Sequence, residues 1–370
     1  MSSIVVVLAL GLMQGNDDTN FVAAVRDTYN ANLEELRSGS LYFTLASGTS
    51  ADLKSALSGR WSSRVEAECS FYSDGKNSRF ECLYKPEDLH RYRKPINDRQ
   101  FASSLMPIRI LTDGTMSLID RLGATPDGKG LIHAPRLFPG KFEFYQNLSL
   151  PLALGGNGAG YLHLGADIDG ALLNRPEWRL AEISDRDSIG KVNVVKLTFK
   201  APDRSRVYWV DIERGAIPLK IESYHKGELL ITFVRENLRL LSNKGWYPMR
   251  EVSFVKGGKT REHVISEKSD FSVPPNDSEF RLQFPQPQRL VNQALLVNYA
   301  PRNVWDLRKL PSPSSAGTQR LVVAKSPAGL AQMPAGEREA PPNWAMPSTL
   351  VGLILLAIVA LRVKVRFRHA

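Results

Sequence analysis

Residues Val65 to Tyr84 read VEAECSFYSDGKNSRFECLY, and the fold turns on how this stretch is paired. Gly75-Lys76 sits at its centre as a two-residue turn, with glycine first as a type II′ turn requires. Counting back from that turn pairs Asp74 with Asn77, Phe71 with Phe80, Cys69 with Cys82 and Ala67 with Tyr84. Alternation agrees on both sides: Val65, Ala67, Cys69 and Phe71 share a face with Phe80, Cys82 and Tyr84, and Glu66, Glu68, Arg79 and Glu81 point the other way. The spacing predicts a hairpin with one apolar face. Cys69 and Cys82 fall at a non-hydrogen-bonded pair, where cross-strand side chains approach most closely. A disulfide is expected there, with two reduced, buried cysteines as the alternative. A metal site is disfavoured, because no CxxC or HxxxH partner exists.

Outward from the hairpin, the N-terminal side changes period. Phe21, Val22, Val25, Tyr29, Leu33 and Leu36 recur at helical spacing, so Asn20 to Arg37 is expected as an amphipathic helix, capped by Asn20 and stopped by Gly39. Strands follow from Ser40, and Ile108 to Leu111 before Asp113-Gly114 is another. The middle, roughly residues 121–179, is irregular. Its glycine run, Gly155 to Gly160, reads as a loop and not a phosphate cradle, because Tyr161 to Leu164 look extended and no Lys-Ser or Lys-Thr follows. From Lys191 to about Phe284, strands come in quick succession between short turns. Short connections join antiparallel neighbours, so a meander is expected.

The ends carry a different message. Ile4 to Met13 is an unbroken apolar decamer that rises about 15 Å as a helix, too short to span a bilayer and of the size of a signal-peptide core. Residues 1–15 are therefore expected to be a signal peptide, with a buried first strand as the alternative. Residues 301–347 carry eight prolines among Ser, Ala and Gly, a composition that reads as a linker over 301–345. Met346 to Leu361 is uncharged and apolar all round, which predicts a transmembrane helix. Arg362, Lys364, Arg366 and Arg368 follow, so residues 362–370 are expected to be a basic cytoplasmic tail. The body, 16–300, is then extracytoplasmic and held at the inner membrane. The chain of 370 residues is 43% hydrophobic, too polar for a multi-pass protein. Its net charge of +10 is spread out, without the basic stripe of a nucleic-acid protein. It reads instead as a solvated surface near anionic lipid.

Several segments, taken in order, resemble the LolA-like superfamily of periplasmic lipoprotein carriers and lipid-binding proteins. The helix from Phe21 comes first. Val207-Tyr208-Trp209-Val210-Asp211 then leads through Gly215 to Ile217-Pro218-Leu219-Lys220-Ile221. Gly245-Trp246-Tyr247-Pro248-Met249-Arg250 follows, and Phe271 to Pro274 and Phe280 to Pro285 close the series. The resemblance implies an α+β fold, a strongly curved antiparallel β-sheet (half-barrel) wrapped over helices around an apolar cavity. It further implies binding of a lipid, acyl chain or lipoprotein. Candidates for the apolar face are Phe71, Phe80, Ile217, Leu219, Ile221 and Leu229, together with Ile231 and Phe233. Trp209 and Trp246 either rim the cavity or fill it. Ordinary sheet core under the N-terminal helix is the competing reading of these residues.

No catalytic constellation stands out. GxSxG, HExxH and Walker patterns are absent. His225 and His263 are expected at surface positions of strands, and Asp167 with Asp169 is too small a set for a calcium site. No enzyme activity and no cofactor are expected. The expected role is a membrane-tethered binding protein. A protein-binding or envelope-sensing module on the same fold is the alternative, and a cell-envelope hydrolase comes third.

Overall fold

In the computed structural model, the described residues are 17–84, 108–124, 131–139, 164–172, 179–292, 297–310 and 319–320. They belong to one compact unit, Met1–Leu321; the second, Val322–Ala370, lies outside the described residues. So do the expected signal peptide, the glycine run and the expected span with its basic tail.

Chain order begins with helix α1 (Asp17–Glu35), β1 (Ser38–Thr49), a short helix α2 (Leu53–Leu57), β2 (Ser63–Asp74) and β3 (Ser78–Tyr84). Then come β4 (Ile108–Thr112), β5 (Met116–Ala124), β6 (Leu131–Pro139) and helix α3 (Leu164–Leu172). The long meander is β7 (Arg179–Ile189), β8 (Val192–Lys200), β9 (Arg204–Asp211), β10 (Ile217–His225), β11 (Glu228–Leu241), β12 (Gly245–Val255) and β13 (Lys259–Ile265). It is followed by β14 (Leu282–Asn292), β15 (Val297–Trp305) and β16 (Gln319–Arg320). The sixteen strands among the described residues form one sheet, in the order β16-β15-β14-β6-β5-β4-β3-β2-β1-β13-β12-β11-β10-β9-β8-β7. β1 is the join: it pairs with β2 on one side and β13 on the other, both antiparallel. Among the described residues only β6 and β14 run parallel, over two residue pairs.

This corrects the expected fold class. Strands hold 62% of the described residues, and the α-helices among them are three, so the fold is predominantly β and not an α+β half-barrel wrapped over helices. The reason lies in the pattern itself: helical periodicity is sustained only in α1, whereas nearly every other apolar run alternates with period two. No helix among the described residues is long and apolar enough to cross a membrane. β15 runs through residue 300, and Trp305 and Leu307 beyond it are buried, 1% and 5% exposed, in a second core with Phe280, Leu282 and Leu290.

The Val65–Tyr84 hairpin has the expected register, with Ala67, Cys69 and Phe71 opposite Tyr84, Cys82 and Phe80. The expected disulfide is corrected: Cys69 and Cys82 are both free and buried. Burial first, and then the neighbouring Cys82, push the Cys69 thiol well above its usual range, so Cys69 stays protonated. Gly39 is no helix stop. It lies within β1, where a Cβ would meet the Phe271 ring at 2.5 Å and Asp270 O at 2.7 Å. Asn20 is not a cap either, since α1 begins three residues earlier.

Candidate functional site

The sheet has an inner face, the one that carries α1 and α3. Phe21, Val22, Val25 and Tyr29 of α1 and Leu36 just after it are buried there with Leu41 and Phe43 of β1, Leu197 and Phe199 of β8, and Leu164 and Ile168 of α3. Into this core fall Phe71, Phe80, Ile217 and Ile221, each no more than 1% exposed. Phe233 and Trp246 pack against it partly buried. The other candidates lie elsewhere. Leu219 is buried at a bulge between Pro218 and Lys220, outside this cluster. Ile231 is half-buried, and Leu229 is 41% exposed beside the β10–β11 turn. Trp209 lies between Tyr208 and Val210, both inner-core residues, so alternation turns it to the outer face. There its Nε1 donates to Asp187 at 2.7 Å, and Lys220 Nζ sits 4.5 Å over the ring.

One side chain pins the C-terminal end of α1. Asn32 Nδ2 donates to Trp246 O at 3.0 Å, and Trp246 N donates to Asn32 Oδ1 at 2.7 Å. The side-chain amide thus pairs with β12 as a strand backbone would. Glycines make room for it: a Cβ on Gly245 would meet Leu36 Cγ at 2.6 Å, and one on Gly215 would meet Asn32 Oδ1 at 2.5 Å. Gly215 also has φ +72°, a conformation that favours glycine.

Under the middle of α1 lies a charged group that sequence reasoning missed. Arg235 (β11), Glu251 (β12) and His263 (β13) are 9%, 2% and 1% exposed, and Tyr29 of α1 is 2% exposed. Arg235 Nε donates to Glu251 Oε2 at 2.6 Å and Nη1 to Pro218 O at 3.3 Å. His263 Nδ1 lies 3.5 Å from Glu251 Oε1, and its ring stands 5.8 Å from Phe43. Burial opposes the Arg235 cation, but Glu251 outweighs it and holds the arginine pKa above its usual value. Burial also raises the Tyr29 phenol, which stays neutral. His263 is therefore a core residue, not the expected surface one, while His225 is half-exposed as expected. The available signal was phase: Phe233 and Arg235, Met249 and Glu251, and His263 and Ile265 are each two residues apart, on the apolar face.

The remaining ionisable clusters are structural. Asp167 accepts two hydrogen bonds from Arg206 Nη1, at 2.6 and 2.9 Å, and one from the Tyr208 hydroxyl, which ties α3 to β9. Asp169 accepts from Arg26 of α1 at 2.9 Å. In the second core, Asp120 is fully buried between Arg109 Nη2 at 2.7 Å and His133 Nδ1 at 2.9 Å. Among the described residues no group of His, Cys, Asp and Glu is placed to hold a metal ion. A surface groove of about 410 Å³ opens beside Leu238, Met249, Val264 and Ile265, with Arg250 and Glu267 on its sides.

No family model matches the chain, and no curated protein is similar to it in sequence. Among solved structures, it is similar to one described as an outer membrane lipoprotein-sorting protein domain from Vibrio parahaemolyticus, at 13% identity and TM-score 0.39, covering 69% of this chain and 94% of that one. A DUF1329 family protein from Desulfovibrio piger gives 12% and 0.38, over 70% and 96%. LprF from Mycobacterium bovis gives 10% and 0.26, over 68% and 96%. All three scores lie below 0.5, so no role is carried over from them. The first is described in the terms of the superfamily that the sequence motifs resemble.

Proposed function

We propose that this protein binds a lipid, an acyl chain or an acylated protein on the inner face of its sheet, outside the cytoplasm. The observation that carries the reading is the cover of that face: the amphipathic helix α1, pinned at its end by Asn32, lies with α3 over an apolar surface that also holds Arg235 and Glu251. Magnitudes support an exchange. The four buried apolar side chains of α1 and Leu36 just after it gain about 2 kcal/mol each from burial. An acyl chain gains about 0.8 kcal/mol per buried CH₂, so a chain of roughly sixteen carbons replaces the helix at little net cost. Arg235, freed from part of its pairing, would face a ligand carboxylate or phosphate.

The test is native mass spectrometry of the full-length chain after incubation with a long-chain fatty acid, beside the Asn32→Ala variant. Adducts that grow stronger when the pin is removed support the reading; an unaltered apo mass in both proteins sinks it. A second reading, protein binding by strand addition, is favoured by a separate observation. β7 ends the sheet and pairs only with β8 among the described residues, which leaves one edge open to a partner strand.

A further inference from the structure

The two rims of the sheet differ in charge. One rim gathers the β8–β9 turn, the β10–β11 turn, the β12–β13 turn and the segment around α2. Backbone hydrogen bonds stitch these tips together: Lys226 N to Asp203 O at 2.7 Å, Lys256 N to Leu230 O at 2.7 Å, and Ser50 N to Gly258 O at 2.9 Å. Lys200, Arg204, Lys226, Lys256 and Lys259 are exposed along it, joined by Lys54 and Arg60 beside α2. Among the described residues, only Asp52, Asp203 and Glu228 are exposed there with the opposite sign. Of the five strand-tip cations, Lys256 alone has a carboxylate partner among the described residues, Glu228 at 2.6 Å. At the opposite rim Glu34, Glu35, Asp74, Glu213, Glu267 and Asp270 are exposed and balance the exposed cations around them.

The cationic rim also carries apolar surface. Leu229 and Leu230 open β11 and are 41% and 38% exposed. Leu230 is the extra residue of a bulge in β11, opposite Ser223 and Tyr224, and both leucines lie open at the tip of this hairpin. Cations beside open leucines at a rigid tip are the combination that holds a protein to an anionic bilayer: the charges draw it to the headgroups and the leucines enter the acyl boundary.

We infer that the rim built by the β8–β9, β10–β11 and β12–β13 turns docks on the surface of an anionic lipid bilayer. The inference does not rest on the inner-face reading, since it stands on the rim's own charge and exposure. It orients the protein with the α2 end of the sheet against the membrane.

The experiment uses the full-length chain with an environment-sensitive dye on an added cysteine, at Pro202→Cys on this rim or Glu213→Cys on the other. Cys69 and Cys82 are buried, so the dye goes to the added thiol. Each protein is mixed with vesicles of phosphatidylglycerol and phosphatidylcholine, or of phosphatidylcholine alone, containing a lipid-borne quencher. The dye at residue 202 is quenched with the anionic vesicles and not with the neutral ones, and the dye at 213 with neither. The double variants Lys226→Glu/Lys259→Glu and Leu229→Ser/Leu230→Ser, all exposed turn and tip positions, keep the melting temperature and lose the quenching. Equal quenching at both positions, equal quenching on neutral vesicles, or none at all overturns the inference.

Discussion

At the scale of single residues, the buried charges decide most. Arg235 and Glu251 face one another with almost no access to water. Removing one partner strands the other, so Arg235→Ala or Glu251→Ala is expected to cost about 3–5 kcal/mol. The double change Arg235→Met/Glu251→Leu, which removes both charges and keeps apolar volume, is expected to cost far less. Urea unfolding of the three variants checks this, and a double variant as unstable as the singles would refute the pairing argument. Asp113 gives a pH prediction. Burial works to raise its pKa, but hydrogen bonds from Met116 N and from Thr115 N and Oγ, each 2.8 Å, win and hold it below the usual carboxylate value. A depressed carboxylate adds stability that is complete above its unfolded pKa, about 3.9, and is lost as pH falls through the folded one. The wild type is thus expected to lose stability below about pH 4, and Asp113→Asn to show a shallower acid limb when melting temperature is followed against pH.

At the scale of elements, α1 and its docking carry the argument. Asn32→Ala removes two hydrogen bonds from buried backbone groups of β12 and is expected to cost roughly 2 kcal/mol. Gly245→Ala drives a methyl into Leu36 and Asn32 and is expected to cost about 1–3 kcal/mol. Hydrogen exchange locates the damage. Faster exchange confined to α1, with the β1–β3 strands still protected, fits a helix that detaches as a unit, whereas uniform acceleration does not. The helix itself was legible in sequence, since its apolar stripe from Phe21 to Leu36 is the one that is buried. Its start was not, because Asn20 has the chemistry of a cap but three further residues before it also turn. The β2–β3 register was equally legible, because a two-residue turn and strict alternation leave no freedom to slip.

At the scale of the molecule, the sheet closes over two cores, and the second depends on residues far along the chain. Trp305 packs with Tyr299 at 6.0 Å between ring centroids, and its Nε1 donates to Gln288 O at 3.0 Å. Trp305→Ala is expected to cost about 3–5 kcal/mol. A chain cut at residue 300 is expected to expose Leu282, Leu290 and Phe280 and to aggregate on size exclusion, whereas one cut after residue 321 stays monodisperse. Equal behaviour of the two would show that β15 is dispensable. The proline content past residue 301 read as linker from composition alone. What composition missed is that Trp305 and Leu307 are few but pack into the second core.

By itself the sequence determined what depends on near neighbours: the helix stripe, the hairpin register, and the succession of antiparallel strands from β8 to β13. Each follows from local period and turn chemistry, which act over a handful of residues. Only the tertiary structure decided that β1 joins two meanders into one sheet, that the cysteines remain thiols, and that Trp209 faces outward. The same holds for Arg235, Glu251 and His263, which lie within 30 residues of one another on three strands and become a buried cluster only when α1 covers them. A charged residue in phase with an apolar face is ambiguous until the cover arrives. Whether it is buried depends on a helix more than 200 residues away in the chain, and no local period carries that information.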